Sequence, residues 1–356
     1  MADTEAGAES ATGDIEGINV PRVTDWLVAN VEGVQPPFSF ELIAGGRSNL
    51  TFRVTDAAGR DLVLRRPPIS HVLPTAHDMG REFRIISALQ DTPVPVAPSL
   101  GFCDDESVNE RPFYVMGYVD GYILRDAATA EKVLDEQGRR RAGESIAEVM
   151  AAIHAVDVDK VGLGDLGRRE GYIERQLKRW YSQFKQSSEL LNRTVPLVDE
   201  VHDFLAARIP EQGPATIVHG DYRLDNTMLG DDGNVKAVLD WEICTLGDPL
   251  ADVGLLMVYW ADKDDDNPAL GVAPTATEGF PSRAEVREIY AATSGRDVAQ
   301  LDFYVAFGYW KLACILEGVY SRYVGGAGGG DRSGVDFMGD QVVRLSESAK
   351  AAASSL

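Results

Sequence analysis

The residues best suited to chemistry lie in one short segment and at the end of the apolar stretch that follows it. Asp221 comes directly after His219 and Gly220, Asn226 follows Asp221 by five residues, and Asp240 follows Asn226 by fourteen. Phosphoryl transfer needs a carboxylate that orients a hydroxyl and accepts its proton, and hard oxygen ligands for the cation on the nucleotide phosphates. The spacing therefore favours Asp221 as the base, with Asn226 and Asp240 as Mg²⁺ ligands. The plainer alternative is a surface turn followed by a carboxylate that only ends a strand.

Two short strands and several long helices are expected to position this segment. Apolar residues predict strands at 217–219 and 235–240, and the Gly- and Asp-rich stretch 229–233 predicts a turn between them. From about residue 127 onward the apolar spacing is mainly helical. The expected helices cover residues 131–154, 172–191, 196–207 and 303–323.

The amino-terminal third has the pattern of a β-sheet with one helix packed on it. Apolar residues alternate along 50–54, whereas residues 78–90 have apolar side chains at helical spacing. Further strand signals lie at 41–43, 61–65 and 113–116. We therefore predict an α+β protein with a small β-rich amino lobe and a larger helical carboxy lobe. The expected segments are a disordered acidic tail at 1–20, the amino lobe at 21–118 and the carboxy lobe at 119–356.

The loop sequence resembles that of the aminoglycoside phosphotransferase and choline kinase family, whose members are relatives of the protein kinases. The family pattern is a His-Gly-Asp triplet with Asn five residues after the Asp, and the Asp-Phe-Gly triplet of protein kinases is here Asp240-Trp241-Glu242. The resemblance extends over residues 34–323. It implies a bilobal protein-kinase-like fold that uses Mg²⁺ and ATP, with GTP as an open alternative. It also implies that Asp221 is the catalytic base, that Asn226 and Asp240 hold the metal, and that His219 mainly shapes the loop.

The same resemblance implies nucleotide-binding residues in the predicted amino lobe. The turn after the first strand is expected to cover the nucleotide, although it lacks a complete Gly-x-Gly-x-x-Gly and fits an ordinary hairpin equally well. Arg65 stands where protein kinases have the phosphate-binding lysine, and Arg66 is the alternative for this role. Glu82 is the expected ion-pair partner of the arginine, and the alternative for Glu82 is a solvated position on its helix. The connector after the last strand is expected to meet the adenine. The candidates are Gly45, Gly46, Arg47, Ser48, Asn49, Arg65, Glu82, Met116 and Tyr118.

Three further side chains are expected to support the loop or the core. Asp252 is expected to accept backbone N–H bonds from the loop, and Asp248 to cap the helix that begins at Pro249. His154 resembles a position of the family as well, but a packing histidine with satisfied hydrogen bonds is the preferred interpretation.

The overall composition excludes some classes of function. The formal net charge of −22 argues against general nucleic-acid binding, which needs a concentrated basic surface. The three cysteines are far apart and have no metal-ligand or disulfide spacing. Neither a secretory pattern nor a run of about 18 apolar residues is present. We therefore expect a cytoplasmic protein with a small-molecule hydroxyl acceptor and with no nucleic-acid or membrane partner.

The chemistry of the acceptor stays open at this stage. Residues 64–68 and 172–180 look most like the kinase-like domains fused to certain acyl-CoA dehydrogenases, which implies a hydroxyacyl-CoA-type acceptor. Between residues 168 and 193 seven basic residues outnumber three acidic ones, and Arg175, Lys178 and Arg179 would attract an anion. The alternatives are a salt-bridged helix surface, a cationic acceptor such as an aminoglycoside or choline, and a nucleotide-binding scaffold without catalysis.

Overall fold

The computed structural model describes residues 15–44, 49–69, 78–265, 273–327 and 335–356. The chain divides into two compact units, the first formed by Met1–Asp91 and Val96–Asp120 and the second by Thr92–Pro95 and Gly121–Leu356. Most of the predicted acidic tail lies outside the described residues, as do the four residues 45–48 of the predicted nucleotide-covering turn. None of the described helices is both long and apolar enough to cross a membrane.

The first unit contains an antiparallel sheet of five strands in the order β1-β2-β3-β5-β4. The second strand shows why this segment is extended, because Leu50, Phe52 and Val54 are buried and alternate with partly exposed residues. The fourth strand was not predicted, since its residues do not alternate in burial and only its last residue is buried. The strands are β1 Ser39–Ala44, β2 Leu50–Thr55, β3 Asp61–Arg66, β4 Ser99–Cys103 and β5 Phe113–Gly117.

The helix predicted near residue 80 packs an apolar face in this unit. Asp78 caps its first turn by accepting a hydrogen bond from the Arg81 N–H at 2.9 Å. Met79, Ile86 and Leu89 are buried along one side, as the helical spacing predicted. The helices of the first unit are α1 Val20–Asn30, α2 Met79–Leu89 and α3 Glu106–Asn109.

The second unit is mainly helical, and three of the four predicted helices have different bounds. Residues 131–154 do not form one helix, because Asp135 accepts a hydrogen bond from the Gly138 N–H at 2.7 Å and starts a new helix. The prediction for 172–191 is confirmed residue by residue. The helices are α4 Ala127–Val133, α5 Glu136–Ala155, α6 Tyr172–Leu191, α7 Pro196–Ala206, α8 Leu250–Tyr259, α9 Arg283–Ser294, α10 Leu301–Arg322 and α11 Val335–Ala353.

Four short strands of the second unit form two antiparallel pairs. The predicted turn at 229–233 joins β7 to β8, and the strand predicted at 217–219 instead pairs with β9, which the sequence did not indicate. The strands are β6 Thr216–Val218, β7 Thr227–Leu229, β8 Val235–Val238 and β9 Thr245–Gly247. The loop between β6 and β7 carries Asp221 and Asn226, so the two strand pairs fix both ends of the predicted catalytic segment.

Helix α10 lies at the centre of the helical packing and is buried on nearly all sides. Trp310 is fully buried, and its indole N–H donates to the carbonyl oxygen of Val198 on α7 at 3.0 Å. Helix α8 crosses α10 closely at Gly254, where a Cβ atom would stand 2.5 Å from the backbone of Tyr304. Any larger residue at 254 would push the two helices apart. The close crossing therefore ties α8 to α10 in the interior of the unit.

Candidate active site

The loop between β6 and β7, residues 219–226, has a backbone shape that only particular residues allow; it is called the Asp221 loop below. Gly220 has a φ of 88°, and a Cβ atom there would lie 3.0 Å from the side chain of Ile243. Both facts require glycine at this position. A short 3₁₀ turn at Leu224–Asn226 closes the loop, with the Asn226 N–H donating to the Arg223 carbonyl oxygen at 2.9 Å.

The carboxylate of Asp252 on α8 holds the start of the Asp221 loop. It accepts hydrogen bonds from the backbone N–H of His219 at 2.6 Å and of Gly220 at 2.9 Å, which confirms the predicted role. Asp252 is buried. Burial alone would raise its pKa, but the hydrogen bond from His154, the electrostatic influence of the His154 and His219 rings and the Gly220 N–H together outweigh it and lower the pKa. The carboxylate is therefore ionised and accepts from all its neighbours.

His154 on α5 supports Asp252 from the other side. Its Nε2 lies 3.5 Å from the Asp252 carboxylate, and its Nδ1 lies 2.8 Å from the Tyr290 hydroxyl oxygen. Burial lowers the pKa of His154, although Asp252 opposes the shift. The ring is therefore neutral, and because Asp252 only accepts, Nε2 carries the proton and Nδ1 accepts from Tyr290. This confirms His154 as a packing residue with satisfied hydrogen bonds.

Asp221 is oriented by its own loop and keeps about a third of its side chain exposed. The Asn226 amide nitrogen donates to the backbone oxygen of Asp221 at 2.8 Å and to its carboxylate at 3.0 Å. Arg223 Nε lies 3.7 Å from the other carboxylate oxygen, and the Asp221 side chain is 32% exposed. Burial raises the pKa of Asp221, opposed by Arg223, His219, the Asn226 hydrogen bond and Lys311. A raised pKa makes this carboxylate a stronger proton acceptor than a free aspartate.

Asp240 lies next to the same loop in an uncommon backbone conformation. Its φ is 61°, a left-handed value that aspartate tolerates better than most residues. The preceding residue Leu239 donates its N–H to the Asn226 carbonyl oxygen at 2.8 Å, and its own carbonyl oxygen lies 2.9 Å from Nε2 of the His219 ring. Since a carbonyl only accepts, His219 Nε2 is the donor. These bonds bring the segments of Asp221, Asn226 and Asp240 together.

The donor set in this place fits Mg²⁺ bound together with phosphates. The Asn226 amide nitrogen is directed at Asp221, so its side-chain oxygen is the atom that a cation can use, and Asp240 follows the residue whose N–H bonds the Asn226 carbonyl oxygen. Among the described residues no three His, Cys, Asp or Glu side chains converge as a metal site. Mg²⁺ needs no such cage, because it takes one or two protein oxygens and completes its shell with phosphates and water.

In the first unit, the predicted pair of Arg65 and Glu82 is present. Arg65 Nε lies 3.3 Å from the Glu82 carboxylate, with the side chains 14% and 1% exposed. Arg66, the neighbouring residue of β3, points to the other face, where it bonds the carbonyl oxygens of Gly17 and Pro67. Glu82 is therefore not a solvated helix residue, and Arg65 is the cation of this strand that faces α2.

The other predicted nucleotide-binding residues have mixed outcomes. Gly45, Gly46, Arg47 and Ser48 lie outside the described residues, and Asn49 is buried in the first unit. Met116 belongs to β5, where it pairs with Val63 and Ser99, and so it lies before the connector. Tyr118 follows the strand and is 37% exposed, with the Arg53 guanidinium 4.9 Å from its ring centroid.

The sequence matches, over residues 39–289, the model of a family described as the phosphotransferase enzyme family. The chain belongs to this phosphotransferase family. The predicted resemblance and the predicted α+β fold class are thereby confirmed.

Similar proteins cover different shares of this phosphotransferase. Acyl-CoA dehydrogenase family member 10 of Mus musculus is 35% identical over 293 residues, which are 79% of this chain and 26% of that protein, so the chain spans about a quarter of this relative. A crystal structure from Ralstonia eutropha, provisionally described as an aminoglycoside phosphotransferase, is 33% identical, with a TM-score of 0.80 over 94% of this chain and 98% of that one. An aminoglycoside phosphotransferase solved with ADP and hygromycin B is 19% identical, with a TM-score of 0.60 over 94% and 98% of the two chains, and shows the fold alone.

The three cations predicted to bind the acceptor, here called the α6 cations, have separate surroundings in the phosphotransferase. Arg175 bonds the carbonyl oxygens of Arg168, at 2.7 Å, and Glu170. Lys178 borders a mostly apolar groove between α6 and α7. Arg179 lies over the ring of Trp180, with 4.9 Å between the guanidinium carbon and the ring centroid. The structure therefore does not gather the three side chains around one point.

Sequence reasoning missed three residues around Asp221. Arg223 bridges Asp221 and Asp225, at 3.7 and 3.4 Å, and stacks over the ring of Tyr259 at 4.6 Å. Burial and the Asp221 carboxylate raise the pKa of Tyr259. Lys311 on α10 donates to the Gly220 carbonyl oxygen at 3.3 Å. The available signal was a lysine in the middle of a strongly apolar helix.

A cavity of about 220 Å³ adjoins the Asp221 loop on the side of Arg223. Leu256, Tyr259 and Trp260 from the end of α8 form its apolar wall, and residues 273–275 line it as well. Its charged groups are Arg125, Arg223 and Asp225. The cavity therefore combines an apolar wall with two cations and one carboxylate, directly beside the residue that pairs with Asp221.

Proposed function

We propose that this phosphotransferase transfers the γ-phosphate of ATP to a hydroxyl group of a small molecule, with Asp221 as the base. The observation that carries the proposal is the setting of Asp221. Asn226 orients its carboxylate, Asp252 fixes the backbone before it, and burial raises its pKa. A carboxylate held in this way can align an acceptor hydroxyl and take its proton as the bond to phosphorus forms.

Asn226 and Asp240 are the proposed ligands of Mg²⁺, which when bound would neutralise phosphate charge. What supports this is the backbone bond from the Leu239 N–H to the Asn226 carbonyl oxygen, which joins the two segments directly before Asp240. Arg65, paired with Glu82, is the proposed phosphate-contacting cation of the first unit. The ADP bound in a distant relative of the same fold supports a nucleotide as the phosphate donor.

For the acceptor we propose an anionic or acyl-type metabolite that carries a hydroxyl group, with a hydroxyacyl-CoA-type compound as the first candidate. Two observations favour it. The relative from Mus musculus is named for acyl-CoA dehydrogenases, and the cavity beside Asp221 presents Arg125 and Arg223 next to an apolar wall. The anionic group of such an acceptor could contact the two arginines, and its apolar part could pack against the apolar wall. The α6 cations remain proposed contacts for a longer anionic acceptor.

The second candidate is a cationic acceptor such as an aminoglycoside. The solved structures described as aminoglycoside phosphotransferases favour it, one of them only provisionally described so, as does the net charge of −22, which attracts cations in general. Asp225 would be its contact in the cavity. A nucleotide-binding scaffold without catalysis is disfavoured, because Asp221, Asn226 and Asp240 are all present and lie in adjoining segments.

The test is an acceptor panel with ATP and Mg²⁺. The purified chain would be incubated with hydroxyacyl-CoA esters, free hydroxy acids, aminoglycosides and choline, and phosphorylated product would be detected by mass spectrometry. We expect a phosphorylated hydroxyacyl product that requires both ATP and Mg²⁺. Phosphorylation confined to aminoglycosides would replace the first candidate with the second, and the absence of any product or ATP turnover across the panel would contradict the proposed function.

A further inference from the structure

Lys311 is a buried cation that has no part in the proposed chemistry of Asp221, Asn226 and Asp240. It stands in the middle of α10, between Trp310 and Leu312, and only 7% of its surface is exposed. Burying an ammonium group removes its hydration, which is unfavourable unless other groups compensate. An apolar residue would pack on this helix at lower cost, so the lysine points to a role in the site.

The ammonium group acts on the peptide unit that leads into Asp221. Lys311 Nζ donates to the carbonyl oxygen of Gly220 at 3.3 Å, and the N–H of Gly220 donates to Asp252 at 2.9 Å. A cation therefore holds one end of Gly220 and an anion holds the other. Gly220 has a left-handed φ of 88°, a conformation that its own rotation can leave at little cost. The two contacts fix that rotation, and with it the direction in which Asp221 leaves the backbone.

The charges around Lys311 come from three elements. The Asp221 loop contributes Asp221, α8 contributes Asp252, and α6 contributes Arg179 and the ring of Trp180, whose centroid is 6.0 Å from Nζ. Burial lowers the pKa of Lys311, whereas the two carboxylates oppose that shift. Lys311 in turn is one of the groups that counter the raised pKa of Asp221, together with Arg223, His219 and the Asn226 hydrogen bond.

We propose that Lys311 is a positioning residue for Asp221: its ammonium group fixes the Gly220 carbonyl, and with it the peptide unit that leads into Asp221. This inference rests on the proposed function of Asp221. It adds a residue of α10, 91 positions along the chain from Gly220, to the machinery of the loop. Substitutions that keep or remove a donor at position 311 test this role.

Lys311→Met removes the donor and keeps an unbranched side chain. We expect kcat to fall on the order of 10- to 100-fold, because the base is misplaced, while KM for ATP stays unchanged. This split between kcat and KM distinguishes a positioning role from a general loss of structure. The Tm should hold or rise, since an apolar side chain suits the buried site.

Two further variants test whether a donor at this position restores the role. Lys311→Gln keeps a hydrogen-bond donor without charge, so it should retain more of kcat than the Met variant. Lys311→Arg keeps a charged donor, which bonds a carbonyl oxygen more strongly, and should retain more of kcat than the Gln variant. Lys350→Met is the matched control, because Lys350 is an exposed lysine of α11 that pairs with Glu200, and it should change neither kcat nor KM for ATP.

The outcomes of this series decide the inference separately from the proposed function. An unchanged kcat in both Lys311→Met and Lys311→Gln would overturn the inference, with the function of the wild type intact. If Lys311→Met fails to fold, the comparison of Gln with Arg carries the same decision. A wild-type chain that turns over no acceptor at all would instead remove the proposed function.

Discussion

The Asp221 loop and the α6 cations were both selected from the sequence for their charges, yet their surroundings in the structure differ. The loop is held by buried partners from other elements, with Asp252 and Lys311 bonded to the two ends of Gly220. The α6 cations contact neighbours on or near their own helix, and Arg175 serves mainly to cap the preceding turn. Removal of the partner of a buried polar group lowers the stability of the fold by a large free energy, whereas exposed ion pairs contribute little to stability. Effects of substitution should therefore differ in size and in kind.

The largest expected effect is on stability, at Asp252. Asp252→Ala leaves the His219 and Gly220 N–H groups and the His154 ring without their acceptor in a buried place. We expect the free energy of unfolding to fall by about 3 to 5 kcal/mol. Urea unfolding followed by circular dichroism measures it. Asp203→Ala, at an exposed aspartate, is the control and should change little. A loss below about 1 kcal/mol for Asp252→Ala would show that the loop does not depend on this carboxylate.

The next effect is on catalysis, at Asp221. Asp221→Asn keeps the shape and removes the proton-accepting oxygen, so we expect turnover to fall by about 10²- to 10⁴-fold. Nucleotide affinity should stay near that of the wild type, and stability should hold or increase, because burial disfavours the charged carboxylate that is removed. Isothermal calorimetry with ATP and Mg²⁺, together with steady-state assays, tests both parts. Turnover close to that of the wild type would place the base elsewhere.

An intermediate effect, on the free energy of unfolding, is expected when the pH is lowered, because of His154. Burial lowers the pKa of His154 in the folded chain. When the pH is below the ordinary histidine pKa of about 6.5, His154 therefore binds a proton in the unfolded chain but not in the folded chain. Stability should therefore decrease as pH falls below that value, by up to about 1.4 kcal/mol per pH unit. The lowered pKa of Asp252 acts in the same direction at lower pH still.

Urea unfolding at a series of pH values between neutral and mildly acidic measures this slope. His154→Phe removes the titrating group and should give a shallower dependence in the mildly acidic range, even if the variant is less stable at neutral pH. An identical slope in both proteins would show that His154 is not the group that couples protonation to folding.

The smallest effect is expected at the α6 cations. Lys178→Glu combined with Arg179→Glu should raise KM for an anionic acceptor by a few fold, roughly the contribution of exposed ion pairs. The difference from wild type should shrink at high salt, because screening removes long-range attraction. KM for ATP should not change. Arg125→Glu, in the cavity beside Asp221, is the comparison and should raise acceptor KM more. If the α6 variant has the larger effect, the acceptor binds along α6 and the ranking of the two regions is reversed.

Prediction from sequence succeeded where the signal is local. Helix α6 was predicted with its exact bounds, because its apolar face repeats at helical spacing and Asn192 in a left-handed conformation ends it. The division of 131–154 into two helices was missed, since a capping aspartate inside a helical pattern looks like one more polar residue of the exposed face. The partner of β6 was missed because β9 is only three residues long and carries no alternation.

What the sequence by itself determined is the chemistry that neighbours in the chain can form: Asp221 with Asn226, five residues apart, in a loop whose glycine permits the turn. What only the tertiary structure decided is which distant side chains support that loop. Asp252 lies 33 residues from His219, and Lys311 lies 91 residues from Gly220. Helix α10 is apolar on nearly every side, so its periodicity cannot indicate where Lys311 points. That direction is set by the packing of α10 against α6 and α8, because only the packed helices bury the ammonium group against the Asp221 loop.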